Sequence, residues 1–203
     1  MPPPFEPDTP RRTLINHLAG LRLQAYALDC LGYLGVAALL AVPGVIAYLT
    51  LPALSFWPVW GLSLIPAAVA TVWAAAAESG PHAATRGKRA RGLRVGSTDG
   101  GPLPRGRALL RNVAKIAIPW QLGHTVALGA SFGLFETGAP FILTATALTY
   151  VVVGVGVGMT VLGSGRPPHD RLAGSRVVAA PHGSGAGSPQ ATEPAGARAT
   201  GEE

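Results

Sequence analysis

The sequence predicts an all-α membrane protein: a small helical bundle of four transmembrane helices in two hairpins, with a basic cytoplasmic hairpin and amphipathic helix between them. Three observations carry this. Only 13% of the 203 residues are charged, against 48% hydrophobic, and that is about half the charge of an ordinary soluble domain. No Asp, Glu, Lys or Arg occurs in the 48 positions from Cys30 to Ala77, the 20 from Ile116 to Phe135, or the 29 from Thr137 to Gly165. Basic residues crowd the gap between these runs: nine Lys or Arg against Asp99 alone give +8 between positions 86 and 115. A membrane crossing needs roughly 20 apolar residues, and a soluble core would rarely need 48 uncharged ones in a row.

Residues 1–13 are proline-rich and read as disordered. Leu14, Ile15, Leu18 and Leu21 have helical spacing and lead into the first span, 28–49. This run begins too late and continues too far for a signal peptide. Pro43 and Gly44 are a kink that membrane helices tolerate. A turn at Thr50–Ser55, bracketed by Pro52 and Pro58, precedes the second span at 56–77, where Trp57 and Trp60 fit an interfacial aromatic belt. In the basic loop 78–115, GLRV followed by STDGGP reads as a strand entering a hairpin turn. From Gly106, Arg107, Arg111 and Lys115 recur every fourth residue on one face, opposite Leu110, Val113, Ala114 and Ala117. That is a basic amphipathic helix whose cations, with Lys88 and Arg89, are expected to face lipid headgroups.

The third span, 116–135, is bent at its start by Pro119 and carries Gln121 and His124; the fourth, 141–163, is uniformly apolar. With four crossings, the outer loops at 50–55 and 136–140 hold no Lys or Arg, and all 16 basic residues fall on one side. This predicts a multi-pass plasma-membrane protein with both termini cytoplasmic. The membrane domain is 14–178, and residues 179–203, rich in Ala, Gly, Pro and Ser, form a disordered tail.

Three stretches, RLQAYALD (22–29), GKRARGLRVGSTDGGPLPRGRALLRN (87–112) and HDRLAGSRVV (169–178), stand in an order that resembles the RDD family of small membrane proteins. The resemblance covers about 22–178. It implies that Arg22, Asp29 and Asp170 are the arginine and two aspartates that name the family. Ser175 stands where the closing motif commonly has Thr, and the Ile116–Gly165 stretch is longer than in the shortest members. The family's biochemical role is unsettled, with transport the usual suggestion.

Arg22 and Asp29 are seven residues apart, roughly 10 Å along a helix, too far to pair directly. Arg22 can reach headgroups by snorkelling, whereas Asp29 is too short and needs a cation brought to it. Arg111 and Arg171 are the candidate partners, and Tyr26 and Tyr33 flank Asp29 as hydroxyl donors. With Asp170, these residues make a charged cluster that is either a clamp on the first span or a device for moving an ion or proton. Gly154 and Gly158 form a small-xxx-small pair for helix packing. His124 reads as structural. Cys30 is the single cysteine, and His82, His169 and His182 lack metal-ligand spacing. No catalytic residue, metal or cofactor is read, and no enzyme is expected.

The basic segment lacks the interleaved aromatics of a nucleic-acid site, so its expected partners are the bilayer and its anionic headgroups. The functional expectation is a membrane structural or accessory protein. The alternative is a small ion- or proton-coupled transporter, or a component of one. In that case a homo-oligomer or membrane-protein partner is required, because four helices leave little room for a pathway.

Overall fold

The computed structural model describes residues 15–50 and 54–180. The N-terminal segment 1–13, His182, the tail beyond 180 and the centre of the expected 50–55 turn lie outside the described residues. Helix α1, Ala19–Thr50, runs through Pro43. At its start, Asn16 Oδ1 accepts the Leu18 N–H at 2.9 Å, satisfying an end donor. Helices α2 (Phe56–Leu62) and α3 (Leu64–Glu78) form one path interrupted at Ser63. Pro66, lacking an N–H for the Leu62 carbonyl, accounts for the break. Helix α7 is Pro140–Val161. Three helical stretches are long and apolar enough to cross a membrane: Ala19–Ile46, Phe56–Glu78 and Pro140–Val161. Large side chains on them, such as Leu39 and Tyr150 at 77% exposure, have no protein cover, the surface that lipid rather than water tolerates.

The run expected to be the third span is organised differently. Helix α5, Arg105–Asn112, passes through a π turn at Val113–Ala117 into α6, Ile118–Ser131. The 14 residues of α6 fall short of a crossing by themselves. Pro119 withholds an N–H from the Lys115 carbonyl, and the π turn absorbs the mismatch without ending the helix. Gln121 and Thr125, which dilute the apolarity of α6, are used between helices. Trp60 Nε1 donates to Thr125 Oγ1 at 2.8 Å, and Gln121 Nε2 donates to Ser63 Oγ at 3.1 Å. His124 stacks on Trp120, with ring centroids 5.6 Å apart.

The expected local hairpin is corrected. Strand β1, Leu93–Ser97, does lead into a turn, closed by the Ser97 N–H on the Gly101 carbonyl at 2.9 Å. The chain then enters Pro102 and Pro104, which cannot supply a ladder strand. The antiparallel partner is instead β2, Ser175–Ala179, with Leu93 opposite Ala179 and Ser97 opposite Ser175. Leu93, Val95 and Val177 point inward to join Leu103, Ala108, Ala25 and Ala75 in one buried cluster. Between the strands' residues and the helices lie two short helices, α4 (Arg86–Ala90) and α8 (Pro168–Leu172).

The amphipathic helix is also corrected, because Arg111 of its basic face turns inward while Arg107 stays exposed. On α5 the buried residues are Ala108, Arg111 and Asn112, while Leu109 and Leu110 are exposed. In lipid the apolar face belongs outside and the charges belong inside with partners. Helix α3 turns the same end inward with small residues at Ala67, Ala70, Thr71, Ala74 and Ala75, a stripe that ends at Glu78.

Gly154 and Gly158 do not pack helices within this chain, since a Cβ at either meets nothing within 4 Å. The close approach is at Gly129 on α6, where a Cβ would lie 2.6 Å from Ile142 Cδ1 on α7. Gly129→Ala is therefore expected to lose about 1–3 kcal/mol by overpacking, whereas Gly154→Ala gains up to about 1 kcal/mol of helix propensity. Thermal unfolding in detergent compares the two; equal effects would contradict this packing.

Candidate functional site

At the basic end of the molecule a set of charged side chains is buried together. Helix α8 begins with two prolines, Pro167 as its cap and Pro168 at its first position, which turn Asp170 inward with no exposed side-chain surface. Asp170 Oδ2 accepts from Arg22 Nη2 at 2.8 Å and Oδ1 from Arg111 Nε at 2.8 Å. Ser175 Oγ adds a contact to Oδ1 at 3.3 Å. Arg22 also donates to the Gly165 carbonyl. The closing motif is thus bonded to α1 and α5 through one carboxylate.

Arg111 continues the chain of contacts. Its Nη1 donates to both oxygens of Glu78 at 2.6 Å. Glu78, at the end of α3, also accepts from Asn112 Nδ2 at 2.7 Å and Lys88 Nζ at 2.8 Å. Lys88 Nζ in turn donates to Thr85 Oγ1 at 3.3 Å. Thr85 donates its hydroxyl to Asp29 Oδ2 at 2.6 Å, and the Gly87 N–H donates to Asp29 Oδ1 at 2.8 Å. The route therefore leaves α1 at Asp29, passes Thr85, Lys88, Glu78, Arg111 and Asp170, and returns to α1 at Arg22. Gly87 is required for this closure, because a Cβ there would overlap the Ala25 carbonyl oxygen on α1.

The expected residues divide accordingly. Arg22, Asp29, Asp170 and Arg111 lie in one network. Neither candidate arginine faces Asp29: Arg111 is engaged by Glu78 and Asp170, and Arg171 is exposed with its Nε on the Arg166 carbonyl at 3.0 Å. The nearest cation to Asp29 is Lys88, 4.0 Å away. The tyrosines do not support the carboxylate. Tyr33 meets Trp73 edge-on at 6.3 Å, and the Tyr26 ring lies under Lys115 Nζ at 5.1 Å. Lys88 and Arg111 are buried in ion pairs and do not face lipid, whereas Arg89 is exposed and Arg107 partners Asp99 at 3.4 Å. Glu78 and Thr85 are members of the network absent from the expectation, and Gly87 and Asn112 figured there only as the ends of the 87–112 stretch. Glu78 had a readable signal, as the charge that closes the 48-position uncharged run.

Electrostatics follow from the pairing. Burial alone would raise the Asp170 carboxyl, but Arg111, His169 and Arg22 override it and hold it at about 2. His169 is pushed down to about 3, first by burial and then by Arg111. Among the described residues no group of three or more His, Cys, Asp or Glu is placed to hold a metal.

The sequence model of the RDD family matches residues 18–174, well over half of the 203 residues, and the chain belongs to that family. No curated protein and no solved structure matches.

A folded histidine value below 6.5 means that the stability linked to His169 is fully present above pH 6.5. It is lost as pH falls toward about 3. Asp170 extends the loss from 3.8 down to about 2. The melting temperature in detergent is expected to fall from pH 7 to pH 5, and His169→Asn to flatten that fall. An unchanged slope in the variant would remove His169 from this account.

Proposed function

Starting from membership of the RDD family, we propose that the protein is a membrane structural or accessory component in which the ring of charge is a permanent clamp. The observation that supports this reading is saturation. Asp170 is bonded by two arginines, and Glu78 by Arg111, Lys88 and Asn112, all without exposed side-chain surface on the carboxylates. A group that must exchange an ion needs a vacant coordination position or a path to water, and these two have partners on every side. Removing one member of such a buried pair costs about 3–5 kcal/mol, because the other is left uncompensated. Arg86, Arg89, Arg94 and Arg176 remain exposed around the clamp. They supply attraction to anionic headgroups at about 1 kcal/mol each.

The second reading is ion- or proton-coupled transport, and one observation favours it. Asp29 lines a cavity of about 400 Å³ bordered by Trp73, Arg86 and Arg89, so this carboxylate has space beside it. The comparison of Asp29→Asn with Asp29→Ala in liposomes separates the readings. For a clamp, wild-type protein carries no proton or cation flux, and both variants lower the melting temperature. Flux that Asp29→Asn abolishes while the protein stays folded would overturn the clamp.

Four crossings remain the proposed topology, with the continuous α5–π turn–α6 helix as the third. The extended helix from Arg105 to Ser131 is long enough if its inner part is counted. Its packing along α7 and its bonds to Trp60 and Ser63 support placement beside two spans. Both termini then lie in the cytoplasm of a plasma-membrane protein. A reporter fused after Arg176 is expected to be cytoplasmic, and an extracytoplasmic signal would contradict four crossings.

A further inference from the structure

The charged ring and its neighbour Lys115 do not balance. Arg22, Lys88, Arg111 and Lys115 line one cavity, and the first three pair with Asp29, Glu78 and Asp170, so four positive charges meet three negative ones and one is in excess. The excess is located. Among the described residues Lys115 has neither an ion pair nor a hydrogen bond, and its Nζ has only the Tyr26 ring beneath it at 5.1 Å. An ammonium with no bonded anion is costly in an apolar setting, and the ring's quadrupole is a weak substitute for one.

Lys115 also lines a cavity. The space, about 210 Å³, lies between α1, the π turn and α7. Its far walls are apolar, with Leu23 on α1 and Val153 and Val157 on α7. Those valines are 48% and 47% exposed, so the cavity opens on the surface that the bilayer covers. Cationic floor and apolar wall are thus joined in one half-open cleft between membrane helices, the chemistry that recognises an acidic lipid.

We propose that this cleft binds one anionic phospholipid, its phosphodiester on Lys115 and an acyl chain along the valines of α7. A monoanion matches the single excess charge. A zwitterionic lipid would bring a second cation toward Arg22 and Arg111, which already crowd the floor. The proposal rests on the membrane placement of the protein and not on whether the ring is a clamp. Lys115 belongs to none of the ring's ion pairs, so its substitution leaves Asp29, Glu78 and Asp170 with their partners.

The full chain in detergent, titrated with dioleoyl phosphatidylglycerol, dioleoyl phosphatidylcholine or inorganic phosphate, tests this by native mass spectrometry and melting temperature. One phosphatidylglycerol is expected to bind about tenfold more tightly than phosphatidylcholine, the size of one charge-assisted hydrogen bond. Lys115→Gln should erase that preference. Gly156→Leu is a second variant that does not touch the charges. Gly156 lines the cleft, and a Cβ there meets nothing within 4 Å, so leucine fills the acyl path without disturbing the helix. It should abolish phosphatidylglycerol retention at unchanged or higher melting temperature. Equal binding of the two lipids, a preference surviving both substitutions, or an equal response to inorganic phosphate would each overturn the lipid site.

Discussion

Glu78 ends an apolar helix with no exposed side-chain surface, and the basic end of the molecule is arranged around neutralising it. An ionised carboxylate in that position costs several kcal/mol unless cations and hydrogen-bond donors surround it. Arg111 arrives from α5, Lys88 from α4 and Asn112 from the same turn of α5. Those cations then need compensation of their own, which Asp170 and Asp29 provide. Arg22 completes the arrangement by sharing Asp170 with Arg111. Each added charge answers the previous one, and the series stops only when it has returned to α1.

This order explains why short elements of little intrinsic stability hold their places. Helices α4 and α8 have five residues each, too few to persist alone in water. Each carries one side of the ring, Thr85 and Lys88 at α4 and Asp170 in α8. The β1–β2 pair brings Ser175 beside Asp170 and seals the small apolar cluster around Leu93 and Val95. Between membrane helices the hydrophobic effect supplies little attraction, so close packing and polar contacts must specify the arrangement. The stripe of alanines on α3 provides the first and the ring provides the second.

The opposite end uses different chemistry. Phe56 meets Phe132 and Phe141 edge-on at 5.9 and 5.6 Å, and Trp57 stacks on Phe141 at 5.7 Å. These contacts tie the start of the α2–α3 path to the connection between α6 and α7. Nothing in the sequence pointed to Trp57's ring partners. The molecule is fastened by aromatic rings at one end and by paired charges at the other, with lipid-facing helices between.

Much of the architecture was legible without coordinates. The uncharged runs announced the apolar helices, because charge in hydrocarbon is penalised wherever it falls. The three ordered motifs pointed to the RDD family, whose model matches 18–174. Arg22 and Asp29 stood out as charges beside an apolar run, Asp170 followed from the resemblance, and Arg111 was a candidate partner of Asp29. What stayed hidden was pairing. Spacing along one helix says which residues share a face, but not which distant segment faces them. Hence Asp29 was assigned an arginine when its donors are Thr85 and Gly87, β1 was given a local partner when it pairs with Ser175–Ala179, and Arg111 was sent to lipid when it turns inward. The sequence by itself determined which segments are apolar and where charge is concentrated, since both follow from composition along the chain. Only the tertiary structure decided which charge meets which, because that depends on bringing together residues as far apart as Arg22 and Asp170.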